Sequence, residues 1–529
     1  MSSIQNSSCK TFQLFCSNNL ILNVDFLSSE QLKYPIKPID KTLCLSGGGS
    51  RSFLLSTIIM RELERANKLI NFTTIGSVSG GSWANCMFQY GKYDSRDIYL
   101  GTAMHPEDIT TNKINTIDTN CVLSCVNNQI KTLLENAEAD LRELLIILAN
   151  GNLNISSLWK YLIEQFYLKP FSVSTNKFYV NNQEQLNNIL QTQPSLIADD
   201  FILPSKSNFP YPFFMSTLVG PSSLKPYKVD VNSQFTIFEL SSYATGVFYT
   251  PNDGVVKYEN EQKTDAKNIQ VGGFINSQAF NGTLQNNKTS VAIKEKNSIL
   301  DAISLSSWAP GGFIDSIDLF PEGCYYEEKF INKNTTIDML FIDGANTNNL
   351  GIIPMVQRNS KNIFTCINTK TKFNYYIDES YNYNTSNLPT DVSLAALFGI
   401  INNEDLDYNK LLEYDLKHAH IFKKTHYNTL VDAMYEVEQK GDGIICTIEV
   451  ETIENTWYNI SAGNKINLTL FYNSLPLNWY NKLDDSIKAI VDEKNLPFIS
   501  TKVVGISPEE IHLMDSMTTW TMQKYIDKF

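Results

Sequence analysis

The sequence predicts an α/β protein with a central, mostly parallel sheet flanked by helices. Three observations carry that expectation. Between residues 41 and 89 a short apolar run, a glycine-rich turn and a helical pattern follow in order, and then the order repeats. Further on, residues 338–343 (DMLFID) form a compact apolar run ending before Gly344-Ala345, and 363–368 (IFTCIN) form the next. Finally, 529 residues with 43% hydrophobic and 12% aromatic content are enough to bury a large core.

Each element has its own warrant. Pro35 and Pro38 disfavour helix in residues 1–40, which read as an extended arm or edge segment. Residues 41–45 (KTLCL) read as a buried strand and 46–50 (SGGGS) as a tight turn. Residues 52–67 carry apolar positions at helical spacing, with Arg61 and Glu62 opening the polar face. Residues 71–78 (NFTTIGSV) form a second strand, and 80–89 a helix after a sharp turn. Residues 126–150 and 155–168 read as two helices, the second amphipathic through Leu158, Trp159, Leu162 and Phe166. Between about 169 and 330 the pattern is mixed and loop-rich. Polar insertions at 251–269 and 281–290 are candidate lid-like covers or plain surface loops. The chain closes with a helix over 515–529.

Composition excludes several classes. A net charge of -13 disfavours nucleic acid, whose phosphates require a basic surface. It also gives no general attraction to anionic membranes, so lipid contact is expected to be local and apolar. No run approaches the roughly 20 apolar residues of a membrane span, and residues 1–19 lack a signal-peptide pattern. The nine cysteines are scattered without a CxxC pair, which fits reduced thiols and a cytoplasmic protein, peripheral on membranes at most.

Three motifs carry chemistry. Ser77-Val78-Ser79-Gly80-Gly81-Ser82-Trp83 follows a strand, with small residues two before and two after Ser79. A nucleophilic serine needs such a strained strand-to-helix turn, and the following helix points its N-terminus at developing negative charge. Ser46-Gly47-Gly48-Gly49-Ser50-Arg51 stands between a strand and a helix upstream. Gly48 and Gly49 can present backbone N–H groups to an oxyanion, and Arg51 can hold an anionic group such as a phosphate. A nucleotide-binding loop would need a Lys-Ser/Thr pair after the glycines, and there is none. Asp343-Gly344-Ala345 puts a carboxylate at the C-terminal end of a strand, the edge where parallel sheets collect reactive groups.

Together SGGGSR, SVSGGSW and IDGA resemble the catalytic domain of cytosolic phospholipase A2 and, more distantly, the patatin-like lipases. The segments PYPFFMSTLV (210–219) and FELSSYATGV (238–247) are similar to the same family, and Arg51 and Ser79 stand 28 residues apart, as its pattern has it. The resemblance covers about residues 41–380. It implies Ser79 as nucleophile and Asp343 as its dyad partner, with the Gly48 and Gly49 amides as oxyanion hole. Arg51 and, by a looser match in MVQR, Arg358 would contact the substrate phosphate. Departures are Ser77 for the family's usual Gly, Gly81 where Ser is frequent, and Ser52 where Ala commonly follows the arginine. The implied activity is phospholipase A2 or lysophospholipase hydrolysis of glycerophospholipid or lysophospholipid esters through an acyl-serine, with no cofactor. The implied layout is a lead-in over 1–40 and a single catalytic domain over 41–529. With forty residues before the first motif, no calcium-binding C2 module is expected within this sequence.

Two alternatives stay open. Ser79, Asp343 and His418 or His420 occur in the chain order of a Ser-Asp-His esterase. A non-catalytic lipid-binding protein on the same fold is the other.

Overall fold

A computed structural model describes residues 20–27, 40–127, 155–225, 227, 234–248, 254–260, 262–309, 325–332, 335–384, 386–401, 415–501 and 505–529. The helix expected over 126–150 lies almost wholly outside the described residues, as do Pro35 and Pro38.

The protein is a mixed α/β structure around one large sheet of twelve described strands. In chain order these are β1 (Phe26–Leu27), β2 (Lys41–Leu45), β3 (Thr74–Val78), β4 (Tyr211–Pro221), β5 (Thr236–Ser241) and β6 (Ala244–Val247). They continue with β7 (Gly273–Asn276), β8 (Tyr326–Asn332), β9 (Thr335–Asp343), β10 (Asn362–Ile367), β11 (Ile444–Glu451) and β12 (Lys465–Tyr472). The order across the sheet is β11-β12-β10-β2-β3-β4-β5-β6-β7-β1, with β9 on β4 and β8 on β9.

The expectation of a mostly parallel sheet is corrected. Four pairings are parallel, linking β12, β10, β2, β3 and β4. Seven are antiparallel. The predicted strand–turn–helix alternation is the parallel centre. Leu43, Cys44 and Leu45 are fully buried, as are Ile75 and Val78, which matches continuous apolar runs covered on both faces. Most of the antiparallel pairings come from residues 211–343, including much of the stretch that read as loop-rich. The insertion at 251–269 contributes a separate hairpin, Val255–Glu259 with Ala266–Gln270.

Helices α1 (Gly49–Arg65) and α2 (Gly80–Tyr90) follow β2 and β3, close to the predicted bounds. Helix α3 (Ile155–Ile163) widens into a π-helical turn over Glu164–Leu168, within the segment expected to be one helix. Helix α4 (Ile299–Ser306) starts on a Ser298/Asp301 capping box. Helix α5 (Ile353–Gln357) places Met355 over Gly76 of β3. Helix α6 (Pro508–Tyr525) packs on α1, where buried Arg61 pairs with Asp515 and Glu62.

Candidate active site

Residues at the C-terminal ends of β2, β3 and β10 converge with the end of β9. Strand β4 is long enough to serve two partners along one edge. Its first half pairs in parallel with β3, Val78 opposite Met215. Its second half pairs antiparallel with β9, Asp343 opposite Ser216. Strands β3 and β9 therefore run toward each other and stop at consecutive positions of β4. Their ends, Ser79 and Asp343, must meet. The sequence reading put Asp343 at the C-terminal end of a parallel strand; the strand end is there, but the strand is antiparallel to its neighbour.

Ser79 Oγ donates to Asp343 Oδ2 at 2.7 Å. The other carboxylate oxygen, Oδ1, accepts from the Ala345 N–H at 2.8 Å, which fixes the carboxylate plane. Both residues are nearly enclosed, 6% and 5% exposed. Ser79 sits at φ 51°, ψ −124°, outside the favoured regions for a non-glycine residue. That is the sharp turn expected of an elbow.

Three glycines permit this approach. A Cβ on Gly80 would lie 2.1 Å from the Gly49 carbonyl oxygen, and one on Gly81 would lie 2.7 Å from the carbonyls of Leu45 and Ser46. A Cβ on Gly344 would lie 2.1 Å from the Met215 carbonyl. The glycine turn and the elbow are thus in backbone contact. Gly47 is wedged between Ser79, Ala345 and Asn349. Gly48 (φ 137°) and Gly49 (φ 60°) occupy conformations suited to glycine, at the start of α1. The first N–H groups of a helix lack intrahelical acceptors.

Arg51 is buried and held. Its Nε donates to Asn368 O at 2.8 Å, Nη2 to Thr501 Oγ1 at 3.2 Å, and Nη1 to Ile499 O. In this structure the guanidinium binds the segment 499–501 across the glycine turn, so a phosphate reaching it would displace that segment. Arg358 is a clearer departure. It forms a buried pair with Glu239 through two contacts of 3.0 and 2.5 Å, and lies against the rings of Phe213 and Phe248. In this structure its charge is paired with a carboxylate of β5.

The histidines are engaged elsewhere among the described residues. His418 stacks on Trp457 at 4.1 Å, and burial lowers its pKa to about 3. His420 Nε2 contacts Phe422 O, and His512 contacts Thr116 O. None of these contacts joins a histidine to Ser79 or Asp343.

Two residues of the site escaped the sequence reading. Asn368, at the end of β10, donates to Ser52 and Ser56 and accepts from Arg51, so it knits the glycine turn to the sheet. Its place at the end of the run 363–368 was the available signal. Ser306 touches both the elbow and the Asp343 strand. The serines around it carry no distinguishing pattern. Buried rings also gather here: Trp83 lies 6.0 Å from Trp159, and Trp159 lies 6.1 Å from Trp308. Tyr167 lies 4.8 Å from Trp83 and hydrogen-bonds Ser50 of the glycine turn.

No protein-family model matches this chain, and no curated protein is similar to it in sequence. Among solved structures, human GIVD cytosolic phospholipase A2 aligns with 94% of this chain and 61% of its own, at 8% identity and a TM-score of 0.43. The same enzyme in complex with methyl gamma-linolenyl fluorophosphonate aligns with 93% of this chain and 58% of its own, at 10% identity and a TM-score of 0.39. The chain thus spans about 60% of the length of these structures. Alignments this loose leave the reading of the site to its own geometry.

Proposed function

We infer that this chain is a serine acyl hydrolase of the phospholipase A2 or lysophospholipase type, working through Ser79 and Asp343 without a histidine. The observation that carries the reading is the 2.7 Å hydrogen bond from Ser79 Oγ to Asp343 on a strained elbow beside a glycine turn. A serine paired with a buried carboxylate is the arrangement that nucleophilic catalysis requires. Phospholipid as the substrate class comes from the resemblance of SGGGSR, SVSGGSW and IDGA to the cytosolic phospholipase A2 pattern.

In this mechanism Asp343 accepts the Ser79 proton as Oγ attacks the ester carbonyl. The Gly48 and Gly49 amides and the N-terminus of α2 stabilise the oxyanion. The lysolipid or alcohol leaves with that proton. Water, deprotonated by the same carboxylate, then attacks the acyl-serine; the Oγ–acyl bond breaks, Ser79 Oγ takes that proton back from Asp343, and the fatty acid is released. Contact with a membrane is transient and local, as a chain of net charge -13 demands.

A fluorophosphonate probe with intact-mass detection tests the nucleophile. We expect one adduct on Ser79 in the wild type, none in Ser79→Ala, and labelling slowed at least about 10³-fold in Asp343→Asn, the scale on which loss of the base acts. Equal labelling of Asp343→Asn and wild type would remove Asp343 from the mechanism.

A further inference from the structure

We propose that Ser306 is a positioning residue for the Ser79–Asp343 pair, an inference that rests on the catalytic reading above. The meeting of β3 and β9 end to end creates a problem that the sheet itself cannot solve. Where the two strands stop, the ladder along β4 is interrupted, and the backbone N–H groups of Ser79, Asp343 and Gly344 lose strand partners in a buried place. An unpaired buried N–H is costly, so something must fill the gap.

The end of α4 fills it. The Ser306 carbonyl accepts from Ser79 N–H at 3.2 Å and from Gly344 N–H at 3.1 Å, and the Trp308 carbonyl accepts from Asp343 N–H at 3.2 Å. One carbonyl oxygen thus ties the nucleophile's residue to the residue after the base. The Ser306 hydroxyl adds a second set of ties. It lies 3.1 Å from Ser79 N, 2.7 Å from Met215 O and 2.7 Å from Ser82 Oγ. Met215 is the β4 residue opposite the end of β3. Ser82 in turn reaches Ser77, whose hydroxyl donates to Phe213 O and accepts from Asn85 Nδ2. All of these side chains are fully buried.

The hydroxyl's chemistry fits the position. Its proton goes to the Met215 carbonyl, and its lone pairs face the Ser79 N–H and the Ser82 hydroxyl, whose one proton is shared between Ser306 Oγ at 2.7 Å and Ser77 Oγ at 3.3 Å. One small group therefore locks elbow, helix and strand at one point.

Ser306 touches no reacting atom, so its effect is on geometry. The test is the kinetics of fluorophosphonate labelling, separated into the maximal rate and the half-saturating probe concentration, with a thermal melt of each variant. Ser306→Ala is expected to lower the maximal rate about tenfold, the scale of one or two buried hydrogen bonds, with half-saturation unchanged within about twofold. Ser306→Thr, which keeps the hydroxyl, is expected to recover most of that rate. Ser82→Ala removes one tie without touching Ser306 and is expected to slow labelling about threefold. This second variant decides the matter if Ser306→Ala does not fold. Wild-type maximal rates in Ser306→Ala, or in Ser82→Ala where that variant decides, overturn the proposal. So does a loss in Ser306→Ala that Ser306→Thr does not recover. If the wild type itself is never labelled at Ser79, the catalytic reading fails, a result distinct from labelling that ignores Ser306.

Discussion

At the scale of single residues, the site stores strain and surrounds it with glycine. A non-glycine residue at the Ser79 backbone angles costs of order 1–3 kcal/mol, which the fold must supply from the packing around it. That packing includes direct backbone contact between the elbow and the glycine turn. Gly80→Ala tests the contact, because its Cβ would stand 2.1 Å from the Gly49 carbonyl oxygen. One of the two backbones must then move by about 1 Å, and a displacement of that size at a catalytic centre costs about 100-fold in rate. We expect Gly80→Ala to lose at least that much activity in an ester-hydrolysis assay while keeping Ser79 and Asp343. Near-normal turnover would show that the elbow and the glycine turn need not touch. Ser79, Asp343, Gly48 and Gly49 were legible in the sequence because small residues beside a strand end form a pattern. The buried pairing of Arg358 was illegible for a physical reason: its partner Glu239 lies 119 residues upstream on another strand, and no local pattern announces it. Ser306 was illegible for the same reason.

At the scale of elements, strand direction was the feature hidden from the sequence. Residues 338–343 read as a short buried strand, and they are one. A run of apolar residues ending in aspartate and glycine contains nothing about which way its neighbour points. The same holds for β4, whose eleven residues span two partners of opposite direction. The stretch from 169 to 330 read as loop-rich because, β4 apart, most of its strands are brief and separated by runs rich in Asn, Ser and Gly. A buried acid on β8 gives this half of the sheet a pH dependence. Burial, followed by the nearby Asp301 charge, raises the Glu328 pKa from 4.5 to about 8. The folded state then holds a proton that the unfolded state has released. The associated stability is complete below about 4.5 and is lost as pH rises through about 8. Chemical denaturation across pH 5–8 should show unfolding free energy falling with pH, with Glu328 contributing at most about 1.4 kcal/mol per unit. Glu328→Gln should flatten the slope. An unchanged slope would place the titration elsewhere.

At the scale of the whole molecule, the sheet brings together residues far apart in sequence. Ser79 and Asp343 are 264 positions apart and meet through one strand, while residues 499–501 return to cover the glycine turn through Arg51. The far C-terminal residue Phe529 packs its ring 4.3 Å from Phe364 of β10. None of the described helices is long and apolar enough to cross a membrane.

Ser79 is proposed to cleave a fatty-acyl ester of a phospholipid. The direct measurement is release of free fatty acid from phosphatidylcholine and lysophosphatidylcholine labelled separately at each acyl position, comparing wild type with Ser79→Ala. We predict label released by the wild type and a loss of at least about 10⁴-fold in the mutant, with the position of the label naming the bond cut. Equal release by both proteins, or none from either lipid by the wild type, would contradict it.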